Sequence, residues 1–114
     1  MKANEIEQAR HAEQRGAILL ALHQDYTRRM TSTVSLRRAL DLLGKPMSGP
    51  ALQFHLCLLS DLGYLQIWRN SDMPGWRNDR DSDLDPELLV FSRLLPKGLQ
   101  LIDGRIPADP AITF

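Results

Sequence analysis

The chain has 114 residues, and 14 Lys+Arg balance 14 Asp+Glu, which excludes the histone-like polycations whose nucleic-acid affinity comes from bulk charge. Apolar residues make up 43% and charged residues 25%, the balance of one globular domain rather than a disordered chain. The lone cysteine, Cys57, excludes an internal disulfide, and the polar first fifteen residues and short longest apolar run (17–22) predict a cytoplasmic protein with no signal peptide and no membrane span.

The first predicted element is a helix over residues 5–25, capped by Asn4, with Glu5 and Glu7 in the turn where the helix dipole favours acids. Its apolar stripe is Ile6, Ala9, Ala17, Leu19, Leu20 and Leu22. Thr31-Ser32-Thr33-Val34 is rich in β-branched and hydroxyl residues and reads as a short extended piece. Ser35 is the expected cap of a second helix, 36–43, and Gly44 its stop. After Lys45-Pro46-Met47, Ser48 caps a third helix with Pro50 in its first turn. That helix runs to about Leu62, with Leu52, Leu56, Leu59 and Leu62 as its core stripe, and Gly63 ends it. Residues 64–69 alternate like a half-buried strand, 70–86 form a polar loop, and 88–94 return as a second strand. Pro96 opens a last short helix that stops at Gly104, and residues 105–114 read as an extended tail.

Two helices joined by a short turn and followed by a hairpin make an α+β winged helix-turn-helix fold: a three-helix core, a β-hairpin wing and a C-terminal helix. It fills residues 1–104, including an N-terminal helical extension, and 105–114 is the tail. The run Leu52-Gln53-Phe54-His55-Leu56-Cys57-Leu58-Leu59-Ser60-Asp61-Leu62-Gly63-Tyr64-Leu65 resembles the recognition helix of bacterial winged-helix regulators of the ArsR and MarR type. Leu94-Leu95-Pro96-Lys97-Gly98 looks like the Leu-Thr-Pro-Lys-Gly turn that follows their wing, with Leu95 in place of Thr. This resemblance covers residues 16–104. The length, the layout and the tail Gly104-Arg105-Ile106-Pro107 also resemble the small winged-helix proteins of Mu-like phages and prophages. The resemblance implies a double-stranded DNA partner, a role in transcription regulation, and the third helix in the major groove.

Charge distribution tests that implication. Residues 46–68 contain no Lys or Arg, and Phe54 stands where relatives often carry Arg. Ser48, Gln53, Phe54 and Cys57 are the positions expected to face a groove, with Gln53 able to read adenine and Phe54 to touch a thymine methyl. The wing, 69–87, holds Arg69, Arg77 and Arg80 against six acids, a net of −3. Residues 1–45 hold eight bases against five acids, and Arg28, Arg29, Arg37, Arg38 and Lys45 gather around the second helix. The expected DNA-binding set is therefore Arg37, Arg38, Lys45, Ser48, Gln53, Phe54, Arg69, Arg77 and Arg80. Arg37 and Arg38 read equally as a solvated helix face, and His55 as a structural histidine. Trp68 is expected to pack on the hairpin.

Neither an enzyme nor a cofactor or metal site is expected. Asp79-Arg80-Asp81-Ser82-Asp83 has the rhythm of a calcium loop, but Leu84 replaces the turn glycine and Val90 the bidentate Glu. His55 and Cys57 lie two apart on a helix and point in different directions, and the cysteine pair of ArsR-type metal sensors is absent. There is no phosphate-binding glycine loop and no nucleophile motif. A homodimer formed by the first helix and the tail, with Ile106, Ile112 and Phe114 in contact, would set half-sites roughly 34 Å apart. The competing expectation is a protein–protein module, using exposed Phe54 and Trp76 and no DNA.

Overall fold

The computed structural model of the protein describes residues 3–24, 30–73 and 85–114. Among them the order is α1 (Ala3–Gln24), β1 (Thr31–Ser32), α2 (Thr33–Leu42), α3 (Gly49–Asp61), β2 (Leu65–Arg69), a 3₁₀ turn (Asn70–Asp72), β3 (Leu89–Leu94) and α4 (Pro96–Ile102). The strands form one antiparallel sheet in the order β1-β3-β2. The architecture is α+β: helices packed against one small sheet. No helix among the described residues is long and apolar enough to cross a membrane.

Two helix starts differ from expectation. α1 begins at Ala3, so Asn4 lies inside it rather than capping it. α2 starts three residues early because Ser32, not Ser35, is its cap: extended at φ −66°, ψ 148°, Ser32 accepts the Ser35 N–H on its Oγ at 3.1 Å. Two hydroxyl residues three apart are each competent caps. The pairing of Thr31 and Ser32 with Ser92 and Phe91 of β3 settles the choice, since it holds Ser32 extended. Ser48 caps α3 as expected, accepting the Ala51 N–H at 3.2 Å. The glycines expected to stop α2, α3 and α4, Gly44, Gly63 and Gly104, all have positive φ.

The stripe expected on α1 is half right. Ala17, Leu19 and Leu22 are buried, but Ile6 and Ala9 are exposed with the rest of residues 3–11. The buried face is Ala12 and then Gly16 through Leu22, omitting Leu20. It meets Leu36 and Leu40 of α2, Leu52, Leu56 and Leu59 of α3, Leu65 of β2, and Leu89 and Leu94 of β3 in one core. Leu62 packs against that core partly buried.

The tail is part of this body. Residues 105–114 contain no helix or strand, yet Ile112 is only 7% exposed and sits in the core. Thr113 N–H donates to the Ala12 carbonyl at 3.0 Å, and Arg15 Nη1 donates to the Ala111 carbonyl at 3.1 Å. A Cβ on Gly16 would overlap the Thr113 carbonyl, so only glycine lets the tail lie this close to α1. Ile112 is thereby withdrawn from the expected dimer contact, and Ile106 packs against the same core; Phe114 alone of the three is exposed.

The cap assignment is directly testable. Ser32→Ala should destabilise the protein by about 1 kcal/mol in urea unfolding, and Ser35→Ala by clearly less.

Candidate functional site

The face predicted to act is built by α2, the turn after it and α3. Ser48 and Pro50 start α3 so that Leu52, His55, Leu56 and Leu59 face the core. Its outer surface is Pro50, Phe54 and Asp61, all exposed, beside half-buried Cys57. No side chain on that surface carries positive charge. Phe54 is 59% exposed, as expected, with its ring edge-on to His55 at 5.6 Å. Ser48 is exposed but its hydroxyl is engaged as the cap.

The basic residues divide into free and engaged. Arg37 and Arg38 are adjacent on α2, exposed, and paired with no carboxylate among the described residues. Arg37 lies where α3 begins: its Nη1 would be 3.9 Å from a Cβ on Gly49. Lys45 is ion-paired with Glu13 at 3.4 Å, both exposed, a contact worth little in stability but enough to dilute its charge. Arg69 Nε pairs with Glu87 at 3.0 Å, and the Arg69 backbone N–H donates to Asp72 at 2.8 Å. The acidity of residues 69–87 thus reaches their one described arginine. Arg77, Arg80 and Trp76 lie outside the described residues, as do Arg28, Arg29 and the 79–83 stretch weighed as a calcium loop. Trp68, on β2 opposite Phe91, is half-buried.

Gln53 requires a correction. Its Nε2 donates to the Leu89 carbonyl at 3.2 Å, and its Oε1 accepts the Leu89 N–H at 3.0 Å. Both ends of the amide are engaged, so Gln53 is not presented to a base. The cause is the sheet. β1 is only two residues long and ends at Ser32, opposite Phe91. On the other side the register steps from Trp68↔Phe91 to Arg69↔Leu89, a bulge that leaves Val90 opposite no residue. Leu89 is thus paired with Arg69 on the β2 side but lies beyond the end of β1 on the other, where its N–H and C=O have no strand beside them, and buried backbone groups must be satisfied. The Gln53 carboxamide takes the place of the missing strand, and Thr33 Oγ1 adds a donor to the same carbonyl at 2.8 Å.

His55 is structural. It is 1% exposed, takes a hydrogen bond on Nδ1 from Arg15 Nε at 3.3 Å, and faces Gln14 Oε1 through Nε2 at 2.9 Å. With Nδ1 accepting, Nε2 carries the proton and donates to Gln14. Burial, then the Arg15 charge, then nearby His11, hold its pKa down at about 4. The network was legible only as a hint, since Gln14 and Arg15 abut the buried run of α1 and His55 falls on the Leu52–Leu56–Leu59 stripe. At the other end of α3, Lys97 Nζ donates to the Leu62 carbonyl at 2.8 Å and lies 4.8 Å above the Tyr64 ring. Tyr64 O–H donates to Asp109 at 2.7 Å, and burial followed by this bond raises the phenol to about 12. Asp109 is correspondingly held below its usual range, first by the Tyr64 bond.

A groove of about 310 Å³ opens between the start of α2, the start of α3 and β3, lined mainly by Val34, Leu52, Leu88, Leu89 and Val90. Sequence reasoning missed it, because it exists only where β1 stops short. Among the described residues no three His, Cys, Asp or Glu stand together as a metal site. In comparisons with known proteins, no family model, no curated protein and no solved structure matches this chain.

Two outcomes follow. Gln53→Leu should cost roughly 1–3 kcal/mol of stability, because it strands the Leu89 N–H; a surface base-reader would cost nothing. His55 binds its proton less readily folded than unfolded, so its contribution is complete above about pH 6.5 and is lost as pH falls toward 4. Urea unfolding between pH 7 and pH 4.5 should show that loss, amounting to about 2–3 kcal/mol, in the wild type. His55→Gln should be less stable at pH 7 but flatter across the window.

Proposed function

We propose that the chain is a winged-helix protein that docks on double-stranded DNA through α2 and α3, as a regulator of bacterial or phage transcription. The observation that carries this reading is the Arg37–Arg38 pair: exposed, free of carboxylates among the described residues, and beside the start of α3. The element order and the β1-β3-β2 sheet support it, as they agree with a winged helix. The bacterial or phage setting rests on the resemblance at residues 52–65, 94–104 and 104–107.

The contact is dominated by phosphates. Gln53 is engaged, Lys45 and Arg69 are ion-paired, and α3 offers only the Phe54 ring to a base edge. Such binding positions a protein on a duplex more than it specifies sequence. The exposed first turns of α1 and Phe114 are the surfaces left for a homodimer. A protein partner is the second reading. It is favoured by Phe54, by Val34 at 66% and Leu42 at 90% exposure, and by the lack of Lys or Arg over 46–68; apolar anchors beside arginine are the composition of an interface centre.

Fluorescence anisotropy with mixed-sequence duplex DNA at 50 and 200 mM salt decides between them. The DNA reading expects binding that weakens by one or more decades over this range. Arg37→Gln/Arg38→Gln should lower the slope of log K against log salt by about two. No binding at 50 mM salt by the folded protein, or an unchanged slope in the double variant, overturns it and leaves the protein-partner reading.

A further inference from the structure

We infer that the groove between α2, α3 and β3 is a binding site for a small organic anion with an apolar body, held at its charged end by Arg37. The site does not depend on the DNA reading. Its volume, about 310 Å³, lies at the small end of the roughly 300–1,000 Å³ typical of ligand pockets. Its floor is fixed, since Leu52 and Leu89 are buried core residues, while Val34 forms an exposed wall. Apolar surface of this shape gains by taking an apolar occupant out of water.

The polar lining selects the charge. The Gln53 amide and the Thr33 hydroxyl are both engaged by the Leu89 backbone. Ser32 Oγ is bonded to Ser35, as its acceptor and its donor. Among the described residues Arg37 is the one lining side chain whose donors have no partner, and none of the lining residues is an acid. Five donors on a planar cation at the rim of an apolar slot suit a carboxylate or sulfonate, whose charge stays at the mouth while its body enters. A cation meets the guanidinium and no acid. A neutral apolar molecule gains only the burial.

The probes are 8-anilinonaphthalene-1-sulfonate and N-phenyl-1-naphthylamine, the same arene skeleton with and without the anion. Fluorescence titration should give one saturable site for the sulfonate, tighter than for the neutral amine. Arg37→Gln should weaken the sulfonate about tenfold and leave the amine within about twofold. Gly49→Leu is the blocking variant: a Cβ there meets only the tip of Arg37, at 3.9 Å, so a side chain has room to intrude on the mouth. It should weaken both probes. Amide NMR shifts on sulfonate binding should centre on Val34, Arg37, Leu89 and Val90, and thermal melts confirm that both variants are folded. Equal sulfonate binding by wild type and Arg37→Gln, no effect of Gly49→Leu, or shifts centred elsewhere would overturn the inference. The titration contains no nucleic acid, so its failure is distinct from failure of the DNA reading.

Discussion

The middle strand of a three-stranded sheet needs a hydrogen-bonding neighbour on each side, and here one neighbour is two residues long. β3 runs from Leu89 to Leu94, but β1 reaches only Ser92 and Phe91. The rest of the edge must be satisfied by something else or left to destabilise the core. The Gln53 carboxamide does it, with both of its hydrogen bonds to Leu89. That substitution docks the first turns of α3 against the sheet. It also removes from the α3 surface the one amide suited to a base edge. Because a side chain fills less space than a strand, it leaves the groove beside it open.

The polar groups elsewhere follow the same economy. Several of them close a gap between elements that the apolar core alone does not align. Arg15, His55 and Gln14 tie α1 to α3, and Arg15 reaches the tail as well. Lys97 joins α4 to the end of α3, and Tyr64 joins β2's approach to Asp109 of the tail. The buried Ser92 hydroxyl has no hydrogen-bond partner among the described residues. Arg15, Lys45, Arg69 and Lys97 are thus engaged within the protein, and Arg37 and Arg38 are the adjacent pair turned outward.

Element types were readable in the sequence because the punctuation is strong. Gly44, Gly63 and Gly104 stop helices, Pro50 and Pro96 start them, and Ser48 caps α3. The start of α2 was not, because Ser32 and Ser35 are equally good caps until strand pairing makes one extended. The stripe of α1 misled over Ile6 and Ala9, since helical periodicity marks which residues share a face and says nothing of how far along that face the core extends. The candidate site was readable only in part. Exposure of Phe54 and the arginine pair follows from α2 and α3 alone. The fate of Gln53, Lys45 and Arg69 depends on partners 36, 32 and 18 positions away, and no local pattern carries that information.

The seating of the tail on Gly16 joins residues far apart in the chain. Arg15 bonds to Ala111 across 96 positions, and Ile112 completes the core that α1 lines. At translation rates of roughly 5–20 residues per second, a nascent chain leaves the Gly16 side of α1 open for about 5–20 s before its cover is synthesised. α2, α3 and the sheet can cover most of the apolar run 16–22 before then, so what waits for the tail is the side of α1 at Ala12 and Gly16. A helix made first is thus finished by a segment made much later, so early chain termination would leave a body with its longest helix uncovered along one side.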